Sequence, residues 1–134
     1  MYALKYPAFW LASGYTIAVL IIALSLLPGL PGPDTAGFDK IAHGLMYATL
    51  AAWFCGIYRP AKWPVLLGVF AALGGLLELA QSMTMARSAE WLDMLANLVG
   101  LGVGLALGWT LLAGWCGWIE RRLGLAVPGG EADT

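Results

Sequence analysis

The chain has 134 residues, of which 60% are hydrophobic and 11% charged, with a formal net charge of -1. Soluble domains carry about 25% charged residues, and a chain this short has too little interior to hide so much apolar surface from water, which excludes a soluble single-core domain. Near-zero net charge and the lack of a basic stripe leave no footprint for a nucleic-acid partner.

The first apolar run, Phe9–Leu27, is uncharged and close to the roughly 20 residues a helix needs to cross the hydrocarbon. It exceeds the roughly 7–15 residues of a secretory signal, so it reads as a retained helix despite Lys5 ahead of it. Pro28, Gly29, Pro31, Gly32 and Pro33 end it in a turn-rich loop. The second run, Ile41–Tyr58, closes at Arg59-Pro60, and Pro64 opens the third, which continues to Met83 and contains Glu78. Arg87-Ser88-Ala89-Glu90 is a polar break before the fourth, Trp91–Trp118. Only helices satisfy their own backbone donors in lipid while staying open chains. The expected fold is therefore all-α, a single domain over residues 1–122 with four transmembrane helices at about 9–27, 41–58, 64–83 and 91–118. Residues 123–134 read as a disordered tail.

Basic residues choose an orientation. With four spans, Lys5, Arg59, Lys62, Arg121 and Arg122 share one side, against Lys40 and Arg87 on the other. Both termini are therefore expected in the cytoplasm. Cys55 and Cys116 fall near cytoplasmic helix ends and read as small buried hydrophobes. Trp63, Trp118 and Trp91 read as anchors at the membrane rims.

The polar residues gather at the opposite, outer end. Asp39, His43 and Tyr47 follow an i, i+4, i+8 line on the second helix, with Lys40 beside them. Glu78 and Gln81 sit in the last turns of the third helix, Asp93 and Asn97 in the first turns of the fourth, and Arg87 in the loop between. An ionisable group within a spanning helix costs roughly 2.5–3.5 kcal/mol to insert, so Glu78 must pair, accept hydrogen bonds or take up a proton. Against this stands the plainer reading, in which the set only caps, pairs and locks helix ends together. Small residues (Ala96, Gly100, Gly104 and Gly108 on the fourth helix, Ala71 and Gly75 on the third) allow close helix approach within the bundle or between copies. No strand precedes these glycines, so they form no nucleotide loop and no cofactor is expected. One histidine with three carboxylates is a poor zinc set, and no metal is expected either.

Asp39-Lys40-x-x-His43-x-x-x-Tyr47, Glu78-x-x-Gln81, Arg87 and Asp93-x-x-x-Asn97-x-x-Gly100 together resemble the VanZ-like family of small bacterial membrane proteins. The resemblance covers roughly residues 38–104. It implies a multi-pass protein of the bacterial cell membrane, in a family named for a member linked to teicoplanin resistance, and marks these nine polar positions without assigning them roles. The residues themselves suit a site for an anionic cell-envelope lipid or glycan precursor. In that reading Lys40 and Arg87 hold phosphate or carboxylate, and Glu78 or His43 serves as general base. The alternative is a non-enzymatic membrane scaffold. Polar residues at one end only argue against a pore, which needs them along its length.

Overall fold

The computed structural model describes residues 1–26, 37–83 and 91–125. Helix α1 (Pro7–Leu26) begins at a proline, whose missing N–H costs nothing at a first helical position. Helix α2 (Phe38–Ile57) follows Gly37, held at φ 109° where a side chain would be strained. It starts three residues before the apolar run, so Asp39 and Lys40 are helical. A 3₁₀ turn at Pro60–Lys62 leads into α3 (Trp63–Ser82).

The expected fourth helix is two. Helix α4 (Trp91–Leu107) passes into a π-helical turn, Gly108–Leu112. The chain then breaks at Gly114, whose φ of 66° no continuing helix adopts and whose N–H donates to Cys55 O at 3.1 Å. The short α5 (Trp115–Arg122) follows, so Trp118 does not sit on the span. Leu125 N–H bonds back to Glu120 O at 2.8 Å. The tail expectation otherwise falls on residues 126–134, outside the described residues.

At one end Lys40 meets Asp93 and Gln81 meets Ser25. At the other Tyr2 N–H bonds Ile57 O at 2.9 Å and Gly114 bonds Cys55. Successive long helices therefore alternate in direction, and α2 and α4 run parallel. The α2 helix touches each of the other helices and supplies Tyr47, Leu50, Ala51, Phe54, Cys55 and Ile57 to the core. Both cysteines are free and buried.

Among the described residues, three stretches are long and apolar enough to cross a membrane: Pro7–Leu26, Pro60–Ser82 and Trp91–Leu112. The α2 helix matches them in length but carries Asp39, Lys40, His43 and Tyr47. Its central place explains the difference, because a helix facing other helices needs less apolar surface than one facing lipid. Large side chains such as Val19, Ile41, Leu76 and Val99 point outward, an apolar surface suited to a lipid surround.

The α2–α4 contact is made backbone to backbone. A Cβ on Gly100 would overlap the Gly44 carbonyl, and one on Gly104 the Ala48 carbonyl. On Gly108 it would lie 2.5 Å from Cys55 Sγ. Small residues at this spacing are what let helices touch in lipid. Gly75, by contrast, would meet only Met94 Cε at an ordinary 3.6 Å.

Two expectations about the end opposite Lys40 need correction. Trp63 is 5% exposed and donates its indole N–H to Tyr58 O at 2.8 Å, so it packs inside rather than anchoring at a rim. Nor is that end apolar throughout. Buried Glu120 accepts Lys5 N–H at 2.7 Å, Tyr6 N–H at 2.9 Å and Trp10 Nε1–H at 2.9 Å. The carboxylate thus meets the free amides at the start of α1, where negative charge is favoured. Burial by itself would raise the Glu120 pKa, but these hydrogen bonds and the Lys5 charge outweigh it and hold the carboxyl below its ordinary value.

Gly100→Leu is expected to cost about 3 kcal/mol by overpacking, read as thermal unfolding in detergent. Gly102→Ala, with open space at its Cβ, is expected to gain about 0.5–1 kcal/mol from helix propensity. Glu120→Gln should lower the melting temperature at neutral pH. A depressed folded-state pKa gives stability that is present above the unfolded pKa and lost as pH falls through the folded one. The gap between Glu120→Gln and wild type should therefore close below about pH 4, near the ordinary glutamate pKa.

Candidate functional site

The early start of α2 after Gly37 puts Asp39 in its first turn, and the helical repeat carries His43 and Tyr47 down the same face toward the core. Exposure falls along that line. The Asp39 side chain is 37% exposed, whereas His43 is 7% and Tyr47 1% exposed. On α4 the same repeat aligns Asp93 and Asn97, each 5% exposed. The close approach of α2 and α4 leaves these two rows facing each other.

Lys40 ties the rows together. Its Nζ lies 3.1 Å from Asp39 Oδ2 and 3.2 Å from Asp93 Oδ1. The other Asp93 oxygen, Oδ2, is 4.0 Å from His43 Nδ1, beyond hydrogen-bond range. Deeper in, Tyr47 and Asn97 both end against α3 at Gly74. A Cβ there would stand 3.2 Å from the Tyr47 hydroxyl oxygen and 3.3 Å from Asn97 Nδ2. Gly74 is thus the floor of the site, one turn before Glu78, whose carboxylate is within electrostatic reach of Tyr47.

Three buried polar atoms here have no hydrogen-bond partner among the described residues: His43 Nδ1, the Tyr47 hydroxyl and Asn97 Oδ1. A buried polar group left unmade costs about 1–3 kcal/mol, and native interiors hold few of them. No others are found among the described residues, so their gathering at one end of one bundle sets that end apart chemically. Together they offer a hydroxyl, an amide oxygen and a ring nitrogen beside a lysine–carboxylate pair. Among the described residues no three His, Cys, Asp or Glu side chains are arranged to hold a metal ion.

Of the nine positions singled out in the sequence, the structure brings Asp39, Lys40, His43, Asp93, Tyr47 and Asn97 together, with Glu78 alongside. Gln81 turns away, its Nε2 donating to Ser25 O at 2.5 Å, so it ties α3 to α1. Arg87 lies outside the described residues. Sequence reasoning missed Gly44 and Ala48, the α2 half of the small-residue seam. Their i, i+4 spacing, matching Gly100 and Gly104, was the available signal. It also missed Glu120, whose donors lie 110–115 residues away in the chain and leave no local pattern.

Comparison with models of protein families, with curated proteins and with solved structures gives no match to this chain.

Tyr47→Phe separates a structural from a functional role for this site. The hydroxyl has no partner to lose among the described residues, so the substitution should leave the melting temperature in detergent unchanged or raise it. A loss of about 1 kcal/mol or more, the worth of a made hydrogen bond, would identify the hydroxyl as a structural tie.

Proposed function

We propose that this chain is a VanZ-like protein of the bacterial cell membrane whose polar end binds the headgroup of an anionic cell-envelope lipid or lipid-linked glycan precursor. The chain crosses the bilayer four times in this reading, α2 included, with both termini in the cytoplasm. The five-to-two division of basic residues supports that orientation, and the alternation of helix direction supports both termini lying on one side. The polar end then lies at the outer leaflet.

The observation that carries the proposal is the set of unpartnered buried atoms, His43 Nδ1, Tyr47 hydroxyl and Asn97 Oδ1, beside Lys40. A headgroup bearing hydroxyls and phosphate would complete them. Lys40 supplies positive charge to the phosphate, exchanging it for Asp39. That pair is cheap to exchange, because a partly exposed ion pair is worth only about 0–1 kcal/mol. Asp93 keeps its hold on Lys40 and steadies His43. If the headgroup is also modified, His43 and Glu78 are the candidate proton acceptors. The ordered motif that resembles the VanZ-like family agrees with this assignment, and the phenotype to look for is altered susceptibility to envelope-directed antibiotics.

A scaffold role has its own support: Lys40–Asp93 and Gln81–Ser25 each bind two helices together. The two readings differ in what Tyr47→Phe does to binding. Native mass spectrometry with phosphatidylglycerol and with a polyprenyl phosphate should record binding to wild type that falls about tenfold, or about 1.4 kcal/mol, in Tyr47→Phe and Asn97→Leu. Equal binding in variants and wild type, or none at all, rejects the headgroup site and leaves the scaffold.

A further inference from the structure

We infer that the ligand enters sideways from the bilayer, with one acyl chain lying in the groove between α2 and α4; this rests on the headgroup reading above and names the rest of the molecule. The groove is open to the side and has a volume of about 460 Å³, within the roughly 300–1,000 Å³ of ligand pockets. It exists because of the small-residue seam. Gly44 and Ala48 face Ala96 and Gly100, so the backbones touch while no side chain fills the outer edge of the contact. The exposed Leu45 and Val99 form its flanks.

Length and chemistry both select an acyl chain. The lining runs from Leu92 to Val103 along α4, about 16 Å at 1.5 Å per residue. That is about half of the 30 Å hydrocarbon core, the depth of one leaflet. Every lining side chain is apolar except Lys40, whose ammonium touches Asp93 and so stands where the groove opens onto the polar cluster. An apolar channel one leaflet long, with the Lys40 ammonium at its mouth between Asp39 and Asp93, complements a lipid whose phosphate, directly above its chains, takes the place of Asp39 on that ammonium.

The test uses purified full-length protein in detergent and two probes, dioleoyl phosphatidylglycerol and the chainless glycerol 1-phosphate. Val99→Trp fills the groove from an exposed position, and Ala96→Leu does so from its floor should the tryptophan disturb folding. Either variant should weaken the lipid by about tenfold and leave glycerol 1-phosphate binding within about twofold of wild type. If Tyr47→Phe weakens the lipid and the groove variants do not, the groove is overturned and the headgroup site stands. If neither kind of variant weakens it, both fall. A wild-type dimer that Val99→Trp converts to monomer would assign the groove to a second copy and overturn the acyl-chain reading.

Discussion

Backbone contact between α2 and α4 is the constraint from which the arrangement follows. Lipid tails are as apolar as leucine, so helices in a bilayer gain little from burying apolar side chains against each other and associate through close packing. Gly100 and Gly104 fit against the Gly44 and Ala48 carbonyls with no room for a Cβ. A fit of that kind fixes both the separation and the sliding register of the pair. With the register set, Lys40 reaches Asp93 across the seam, and Tyr47 and Asn97 end at the same point on α3. One residue of slip would turn these side chains away from each other. The seam therefore specifies the polar cluster as much as it holds the fold.

The two ends of the bundle treat buried polar groups in opposite ways. At one, Glu120 is met by three donors and fixes the N-terminal segment onto α5. A fully satisfied network like this rigidifies what it joins. At the other, His43, Tyr47 and Asn97 each keep a buried atom without a partner among the described residues. The same chain evidently can satisfy a buried carboxylate with good geometry. Unmade bonds elsewhere thus reflect the particular demands of that end, and departures from local consistency concentrate at functional sites.

Much of the fold was legible because it follows from periodicity and apolar length. The first three helices were located to within three residues at either end, and the faces carrying Asp39, His43 and Tyr47, or Asp93 and Asn97, follow from the 3.6-residue repeat. What periodicity cannot supply is the partner. It placed Gln81 at the polar end, but the Ser25 carbonyl on α1 claims its amide. It read Trp63 as a rim anchor, since an indole next to a proline turn looks the same whether it faces lipid or the Tyr58 carbonyl. The break at Gly114 was hidden for a related reason. Glycine recurs along that whole stretch as a packing residue, so Gly114, held at φ 66°, has no distinguishing neighbour in the sequence.

The modest apolarity of α2 then becomes intelligible. Taken alone it is, of the four long helices, the one least suited to lipid, because it brings an acid, a lysine, a histidine and a tyrosine toward the bundle interior. Each ionisable group would cost roughly 2.5–3.5 kcal/mol in a lone spanning helix. Packed at the centre, the deepest of them face α3 and α4, while Ile41 and Leu45 present the apolar side outward. The cost falls only as far as the neighbours supply partners, and Lys40 and Asp93 supply each other. His43 Nδ1 and the Tyr47 hydroxyl are buried with no hydrogen-bond partner among the described residues. A bundle serving only to fold could hold apolar side chains of similar shape there, phenylalanine for Tyr47 for one, since replacing buried polar groups by apolar ones of similar shape is often neutral or better. Their presence at the most enclosed positions of the central helix is the physical reason to look for chemistry there.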